Sequence, residues 1–313
     1  MYLNSSIPTL DMNSLSTDPL RFSKALGQAW TETGFVAVTN HGISEDTIEK
    51  CLLAARGFFS LPLEAKQRYH IKNGGGQRGY TPFGIETAKD AETPDFKEFW
   101  HVGQEFSAAK INNNRALSNI WPTDNANFKS DCLRFFESMD LLGRHLLKAV
   151  AVYLGQSPDF FEPRVENGNS ILRLLHYPPC EAVGSGTRAA AHEDINVITL
   201  LVGADQAGLE ILRRDGTWSP VQTDSGAIVC NVGDMLERLT NNVLSSTTHR
   251  VSRPIGEAAK FSRYSIPYFL HFAPEVVIET LTNCITPNNP NRYETPITAQ
   301  AFLEQRLAEI GLA

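Results

Sequence analysis

The chain lacks the marks of several specialised protein classes. No C-x-x-C pair occurs, and its five cysteines, Cys51, Cys132, Cys180, Cys230 and Cys284, are an odd number set far apart. Such spacing supports neither a structural zinc site nor a disulfide framework, and it reads as free, buried thiols in a reducing cytoplasm. There is no run of eighteen apolar residues, so no membrane span is expected. The opening Met1-Tyr2-Leu3-Asn4-Ser5-Ser6 has neither the basic nor the apolar region of a secretory signal. Basic residues are in deficit, with 28 Lys and Arg against 35 Asp and Glu, a formal charge of −7 and a pI near 5.7. That balance argues against a nucleic-acid or anionic-membrane surface, although a local basic pocket remains compatible with it. The glycine-rich stretch 72–84, with Gly74-Gly75-Gly76, has no Gly-Lys-Ser/Thr after it. It therefore reads as a mobile loop and not as a phosphate cradle. Internal repeats and low-complexity tails are also missing, which points to a small-molecule substrate and not a polymer.

What is present is a patterned chain of 313 residues, long enough to bury a large core as one decorated β unit. Leu20, Ala25, Leu26, Ala29 and Trp30 recur at helical spacing over 20–32, and Phe35-Val36-Ala37-Val38 reads as a short strand. Ser44 caps a helix expected to run to about Ser60, where Pro62 stops it. A long helix is expected over 126–154, carrying Phe128, Cys132, Phe136, Met139, Leu142, Leu146 and Val150. From about 171 the pattern changes to short β-branched segments: 171–177, 196–203, 208–213, 217–221, 227–232, 247–252 and 262–272. Asp215-Gly216 signals a two-residue hairpin. A closing helix is expected over 298–311, with Phe302, Leu303, Leu307 and Ile310 on one face. The fold class read from this is mixed α and β, a double-stranded β-helix (jelly roll) with flanking helices. Residues 1–165 form a helical and mixed region packed on the core, 166–295 the jelly roll, and 296–313 the C-terminal helix, all in one structural unit.

The chemistry concentrates in the second half. His192 and Asp194 are two apart, so on a strand both side chains leave the same face, and the β-branched run that follows them favours a strand. His249 lies in a second strand-like segment, Ser246–Val251. Two imidazoles and a carboxylate suit Fe(II) with open coordination sites, although Co, Ni and Zn also accept such ligands. Fourteen residues after His249 stands Arg263-Tyr264-Ser265. A buried guanidinium needs an anionic partner, and an arginine with a hydroxyl on the same strand face makes a carboxylate clamp; a surface salt bridge is the alternative. Glu193 should point away from its neighbours. His41 reads as a turn or core residue, and His145 as an exposed helix residue. Lys97–His101, Phe269 and Arg173 are candidates for a substrate pocket, while Arg173 could equally be a buried structural residue. His271 is left without a role.

Taken in order, His192-x-Asp194, His249 and Arg263-x-Ser265 resemble the 2-oxoglutarate- and Fe(II)-dependent oxygenases, and more narrowly their isopenicillin N synthase-like subgroup. Further motifs resemble that subgroup along residues 7–311: Asn40-His41-Gly42-Ile43, Phe58-Phe59-Ser60-Leu61-Pro62 with Lys66, Gly79-Tyr80-x-Pro82, Asp95-Phe96-Lys97-Glu98, Leu172-Arg173 with Tyr177-Pro178, Gly233-Asp234 and Thr240-Asn241-Asn242. The resemblance implies that His192, Asp194 and His249 hold iron. It also implies that Arg263 and Ser265 bind the far carboxylate of 2-oxoglutarate, with Tyr177 donating to the cosubstrate. Oxidation of an unactivated C–H would then accompany conversion of 2-oxoglutarate and O2 to succinate and CO2. Hydroxylation is the expected outcome, desaturation or cyclisation the variants, and ascorbate a candidate reductant. Two departures stand out. Leu175 occupies the position where plant members usually carry asparagine, and Pro254–Ala259 lengthens the stretch before Arg263, expected as a longer turn. Two other readings stay open: an oxidase on this scaffold that needs no 2-oxoglutarate, of the isopenicillin N synthase or aminocyclopropane-carboxylate oxidase type, and a non-catalytic jelly-roll binding protein.

Overall fold

The computed structural model describes residues 7–72, 74–86, 95–106, 117–179, 188–202, 208–254 and 256–309; of those named above, Met1–Ser6, Cys180 and Ile310 lie outside them, as does residue 255 within the Pro254–Ala259 stretch. The strands are β1 (Thr9–Asp11), β2 (Phe35–Thr39), β3 (Gly79–Thr81), β4 (Glu98–Gly103), β5 (Ile171–Tyr177), β6 (Ala189–His192), β7 (Ile198–Val202), β8 (Leu209–Leu212), β9 (Trp218–Pro220), β10 (Ile228–Val232), β11 (His249–Val251), β12 (Arg263–Ser265), β13 (Tyr268–Leu270), β14 (Val277–Ile278) and β15 (Ile297–Thr298). The larger sheet runs β1-β2-β10-β7-β13-β5-β4-β3, with β12 also on β5, and the smaller runs β6-β11-β8-β9. The two sheets enclose the interior that carries the site, and helices flank the outside. This is the double-stranded β-helix architecture.

Strand alternation decides which residues face that interior. On β2, Val36 and Val38 join the helix-side core, while Phe35 and Ala37 pack inward with Ile211 of β8 and Val229 of β10. On β5, Leu172 and Leu174 face the helices, whereas Arg173, Leu175 and Tyr177 line the interior. The helices are α1 (Asn13–Thr17), α2 (Pro19–Glu32), α3 (Glu45–Phe59), α4 (Leu63–Gln67), α5 (Phe128–Tyr153), α6 (Glu162–Val165), α7 (Asp234–Leu239) and α8 (Ala299–Glu309). Helix α3 starts as its sequence indicates, with the Ser44 side chain accepting from Thr47 N. Helix α5 buries the whole apolar stripe from Phe128 to Val150. It comes so close to the sheet that a Cβ on Gly143 would stand 2.7 Å from Leu270 Cδ1. Each such large side chain removed from water contributes about 1.5–3 kcal/mol.

Several expectations need correction. The 262–272 segment is two strands, β12 and β13, interrupted at Ile266-Pro267, because proline has no N–H for the ladder. The Asp215-Gly216 connection is longer than two residues: Leu212 pairs with Trp218, Arg213 N donates to Thr217 O, and Gly216 takes φ +81°. Part of the glycine-rich stretch is strand β3, pinned by the fully buried Tyr80, which pairs with Trp100. Pro62 ends α3 but also opens α4. In the extension before Arg263, residues Gly256–Lys260 form a 3₁₀ turn.

Candidate active site

His192 ends β6, and β11 pairs with β6 so that His249 lies directly opposite it. Asp194 is not on that strand: β6 stops at His192, and Asp194 lies in the segment leading to β7. This corrects the shared-strand expectation. The carboxylate is turned in by hydrogen bonds, not by strand parity. Its Oδ2 accepts from Thr199 Oγ1 at 2.6 Å and Asn231 Nδ2 at 2.8 Å. Thr199 (β7) and Asn231 (β10) are paired neighbours on the larger sheet. The Thr199 hydroxyl in turn accepts from Asn196 Nδ2 at 2.9 Å, which leaves its proton directed at Asp194.

The result is a compact donor set. His192 Nε2 lies 3.9 Å from Asp194 Oδ1, and His249 Nε2 lies 3.8 Å from Asp194 Oδ2. One donor atom from each residue falls within 4.8 Å of the others. The Nδ1 of His192 is 2.8 Å from Ala190 O and that of His249 is 3.0 Å from Thr247 O. Carbonyls only accept, so both Nδ1 atoms are protonated and both Nε2 lone pairs face the site. Burial first, and the neighbouring His249, push the His192 imidazole down to about 4, which keeps it neutral. Burial pushes Asp194 up, but His249, His192 and the two hydrogen-bond donors outweigh it and hold the carboxyl below its ordinary range. Two imidazoles and one carboxylate with room around them suit a divalent first-row metal.

Two spaces flank this set. The inner one lies between the sheets and reaches from His192, Asp194 and His249 to Arg263 and Ser265. Arg263 is 3% exposed and Ser265 6%. Arg263 is paired in register with Tyr177, its guanidinium 5.3 Å from that ring. Burial pulls Arg263 below its ordinary range, Nε has no hydrogen-bond partner, and among the described residues no carboxylate answers it. The outer space is a cavity of about 350 Å³ that opens beside His192 and Asp194. Phe269, Arg173 and Lys97 border both spaces.

The wall of the outer cavity is a neutralised ionic cluster. Lys97 Nζ meets Glu86 at 2.5 Å and Asp95 at 2.8 Å, and Arg173 meets Glu86 at 3.1 Å. Arg173 Nε also donates to His101 Nε2 at 2.6 Å, while His101 Nδ1 faces Gly76 O. Burial and the Arg173 charge hold His101 well below its ordinary range. Glu193, expected to point away from its neighbours, borders the same outer cavity as His192 and Asp194, where it accepts from Thr248 Oγ1 at 2.9 Å. His41 bridges a turn, to Gly226 O at 2.8 Å, and His145 is exposed. Sequence reasoning missed Asn231, Glu86 and the wall built by α8, because each reaches the site from a distant part of the chain, and it missed Thr199, whose hydroxyl turns back to Asp194 five residues earlier.

The sequence profile described as "non-haem dioxygenase in morphine synthesis N-terminal" matches residues 7–124, and that of the "2OG-Fe(II) oxygenase superfamily" matches residues 168–272. A 2-oxoglutarate-dependent dioxygenase of Didymella fabae is 34% identical over 257 residues, spanning 78% of this chain and 77% of the relative. The chain belongs to the 2-oxoglutarate- and Fe(II)-dependent oxygenases. A crystal structure of a 2OG-Fe(II) oxygenase family protein from Caulobacter crescentus superposes with a TM-score of 0.90 at 46% identity, covering 98% of this chain and 100% of that one. A full-length Neurospora crassa protein, solved in complex with alpha-KG and thymine, superposes with a TM-score of 0.84 at 29% identity, covering 96% of each chain. This oxygenase therefore uses Fe(II), O2 and 2-oxoglutarate on a small-molecule substrate, with a two-histidine, one-carboxylate triad as its metal centre. Among the described residues no helix is long and apolar enough to cross a membrane.

Proposed function

We propose that His192, Asp194 and His249 ligate the iron, and that the enzyme hydroxylates an unactivated C–H of a small polar molecule held in the outer cavity. In this reading Arg263 and Ser265 receive the far carboxylate of 2-oxoglutarate, with Tyr177 beside them. The observation that carries it is Arg263: a buried guanidinium lining the inner space, with no carboxylate partner among the described residues. A charge in that position is costly unless an anion arrives to pair with it. The bound iron, with 2-oxoglutarate and O2, supplies the oxidising power that converts 2-oxoglutarate to succinate and CO2 and oxidises the substrate C–H.

The protein's own part is placement. Thr199 and Asn231 hold the Asp194 carboxylate, and two backbone carbonyls fix both imidazole tautomers. Phe269 and Arg173 stand where the two spaces meet, Arg173 lying 5.3 Å from the Phe269 ring. The thymine bound by the Neurospora crassa relative supports a small polar substrate. The ordered short motifs support membership of the isopenicillin N synthase-like subgroup. The free buried thiols Cys51, Cys132, Cys230 and Cys284 support a reducing cytoplasm. We read residues 1–165, 166–295 and 296–313 as one working unit, with α5 packed on β13 and β7.

The test is oxygen-dependent release of succinate from 2-oxoglutarate by the iron-loaded protein. Oxygen uptake without succinate would instead favour an oxidase that needs no 2-oxoglutarate. Failure to bind Fe(II) would leave a binding protein.

A further inference from the structure

We propose that His271 positions the substrate, and that the molecule it positions is electrically neutral and offers a hydrogen-bonding group to the imidazole. The proposal rests on the reading of the outer cavity as the substrate site.

His271 follows β13 directly, and its main chain is rigidly held. Its N–H donates to Ser170 Oγ at 3.1 Å. Gly168 packs so tightly beneath it that a Cβ there would come within 2.1 Å of His271 O. The side chain is 6% exposed and lines the same cavity as His192 and Asp194. Yet the imidazole hydrogen-bonds no described residue, and its Nδ1 is buried without a partner. Gln77 Oε1, in the same wall, is buried and unpartnered too. Buried polar groups in folded proteins are almost always paired, so an imidazole that lines the cavity and hydrogen-bonds no described residue calls for a ligand that pairs it. Burial pushes His271 down to about 4, so the ring is neutral, able to donate from one nitrogen and accept at the other.

Charge narrows the ligand class. The cations of the wall are already answered: Lys97 by Glu86 and Asp95, Arg173 by Glu86, and Arg306 of α8 by Asp234 at 3.1 Å. No cation among the described lining residues is left for a substrate carboxylate, and Glu193 adds a negative charge to the same wall. An anion entering here would be desolvated without a partner, which the site cannot offset. Ile171, Phe269, Leu303 and Leu307 supply an apolar surface for the hydrocarbon part. A neutral amide, lactam or imide with a C–H-bearing ring or arm fits this mixture.

Calorimetric titration of the anaerobic Fe(II)–2-oxoglutarate holoenzyme tests this with four probes: thymine and 2-piperidone as neutral molecules, cyclohexanecarboxylate as an anion and piperidinium as a cation. A neutral probe is expected to bind most tightly, to weaken about tenfold or more in His271→Phe, and to recover in part in His271→Asn. Affinity for 2-oxoglutarate should not change in either variant. Equal binding by His271→Phe, preference for the carboxylate or ammonium probe, or no binding of either neutral probe by the wild type overturns the proposal. If His271→Phe does not fold, the His271→Asn comparison and the wild-type order of the four probes still decide it. Loss of 2-oxoglutarate binding by the wild type would overturn the assigned function itself, a distinguishable failure.

Discussion

His192 and His249 stand directly opposite each other on the antiparallel β6–β11 ladder, their ring centroids 4.5 Å apart. Opposed residues on such a ladder send their side chains out of the same face. The register of one strand pair therefore brings together two nitrogens from distant parts of the chain. A slip of one residue would turn one imidazole to the opposite face and dismantle the site. Asp194 completes the set from beyond the strand end, held by Thr199 and Asn231.

Removal of a ligand should end turnover. His192→Ala and Asp194→Ala are each expected to reduce 2-oxoglutarate-dependent succinate release to background. Full iron-dependent activity in either variant would disprove the ligand assignment.

Loss of the carboxylate's support should act on the metal and spare the fold. Asn231→Ala or Thr199→Val frees one hydrogen bond to Asp194 Oδ2 and is expected to weaken Fe(II) binding about 10–100-fold. Activity should return at high Fe(II), so titration of activity against iron checks the prediction.

Arg263→Gln removes the buried charge that lines the inner space while keeping a polar side chain. The KM for 2-oxoglutarate should rise about 10–100-fold, as expected for a lost charge-assisted hydrogen bond. Fe(II) affinity should stay unchanged. A parallel fall in both would mean that the arginine serves the fold and not the cosubstrate.

A second buried network ties the first third of the chain to the sheet. Lys66 Nζ lies 2.8 Å from Glu98, which also accepts from Tyr80 OH at 2.5 Å and meets His176 Nδ1 at 2.7 Å. Lys66→Met leaves Glu98 buried without its cation and should cost about 3–5 kcal/mol in a urea unfolding experiment. Adding Glu98→Leu should recover only part of this, because Tyr80 and His176 then lose their acceptor.

Glu237 gives the protein a pH-dependent stability. Burial, then the charges of Asp234 and Glu193, raise its carboxyl to about 7, against the opposing hydrogen bond from Ser246 N. The folded state thus holds this proton more tightly than the unfolded chain, whose glutamate titrates near 4.5. The contribution to stability is full below about 4.5 and is lost as pH rises through about 7. Glu237→Gln should flatten that decline in denaturation midpoints measured across this range, leaving the share of Asp234, which is raised to about 6 in the same sense. An unchanged slope would show that Glu237 does not titrate there.

Local pattern was enough to foresee much of this molecule. Apolar spacing placed α2, α3, α5 and most strands of the jelly roll, because amphipathic periodicity reflects burial residue by residue. The clustered donors His192, Asp194 and His249 and the Arg263-x-Ser265 pair could be singled out in the sequence because their chemistry is unusual, although His249 lies far along the chain from the other two donors. Strands β3 and β6 could not, since each is brief, nor could β4, whose pairing with β5 is remote in sequence. Asp194 shows the same limit within the site: sequence spacing indicated a shared strand, whereas the fold turned the carboxylate in through Thr199 and Asn231.

The sequence alone determined which groups are available to ligate a metal or to pair with an anion, since ligand chemistry belongs to side chains. Tertiary structure alone decided which of them meet. Sheet register opposed His192 to His249, strand parity buried Arg263 with no carboxylate partner among the described residues, and α8 joined His271 in lining one cavity. Those relations depend on long-range pairing, where the free energy lies in packing and desolvation between distant segments, and no local run of residues encodes it.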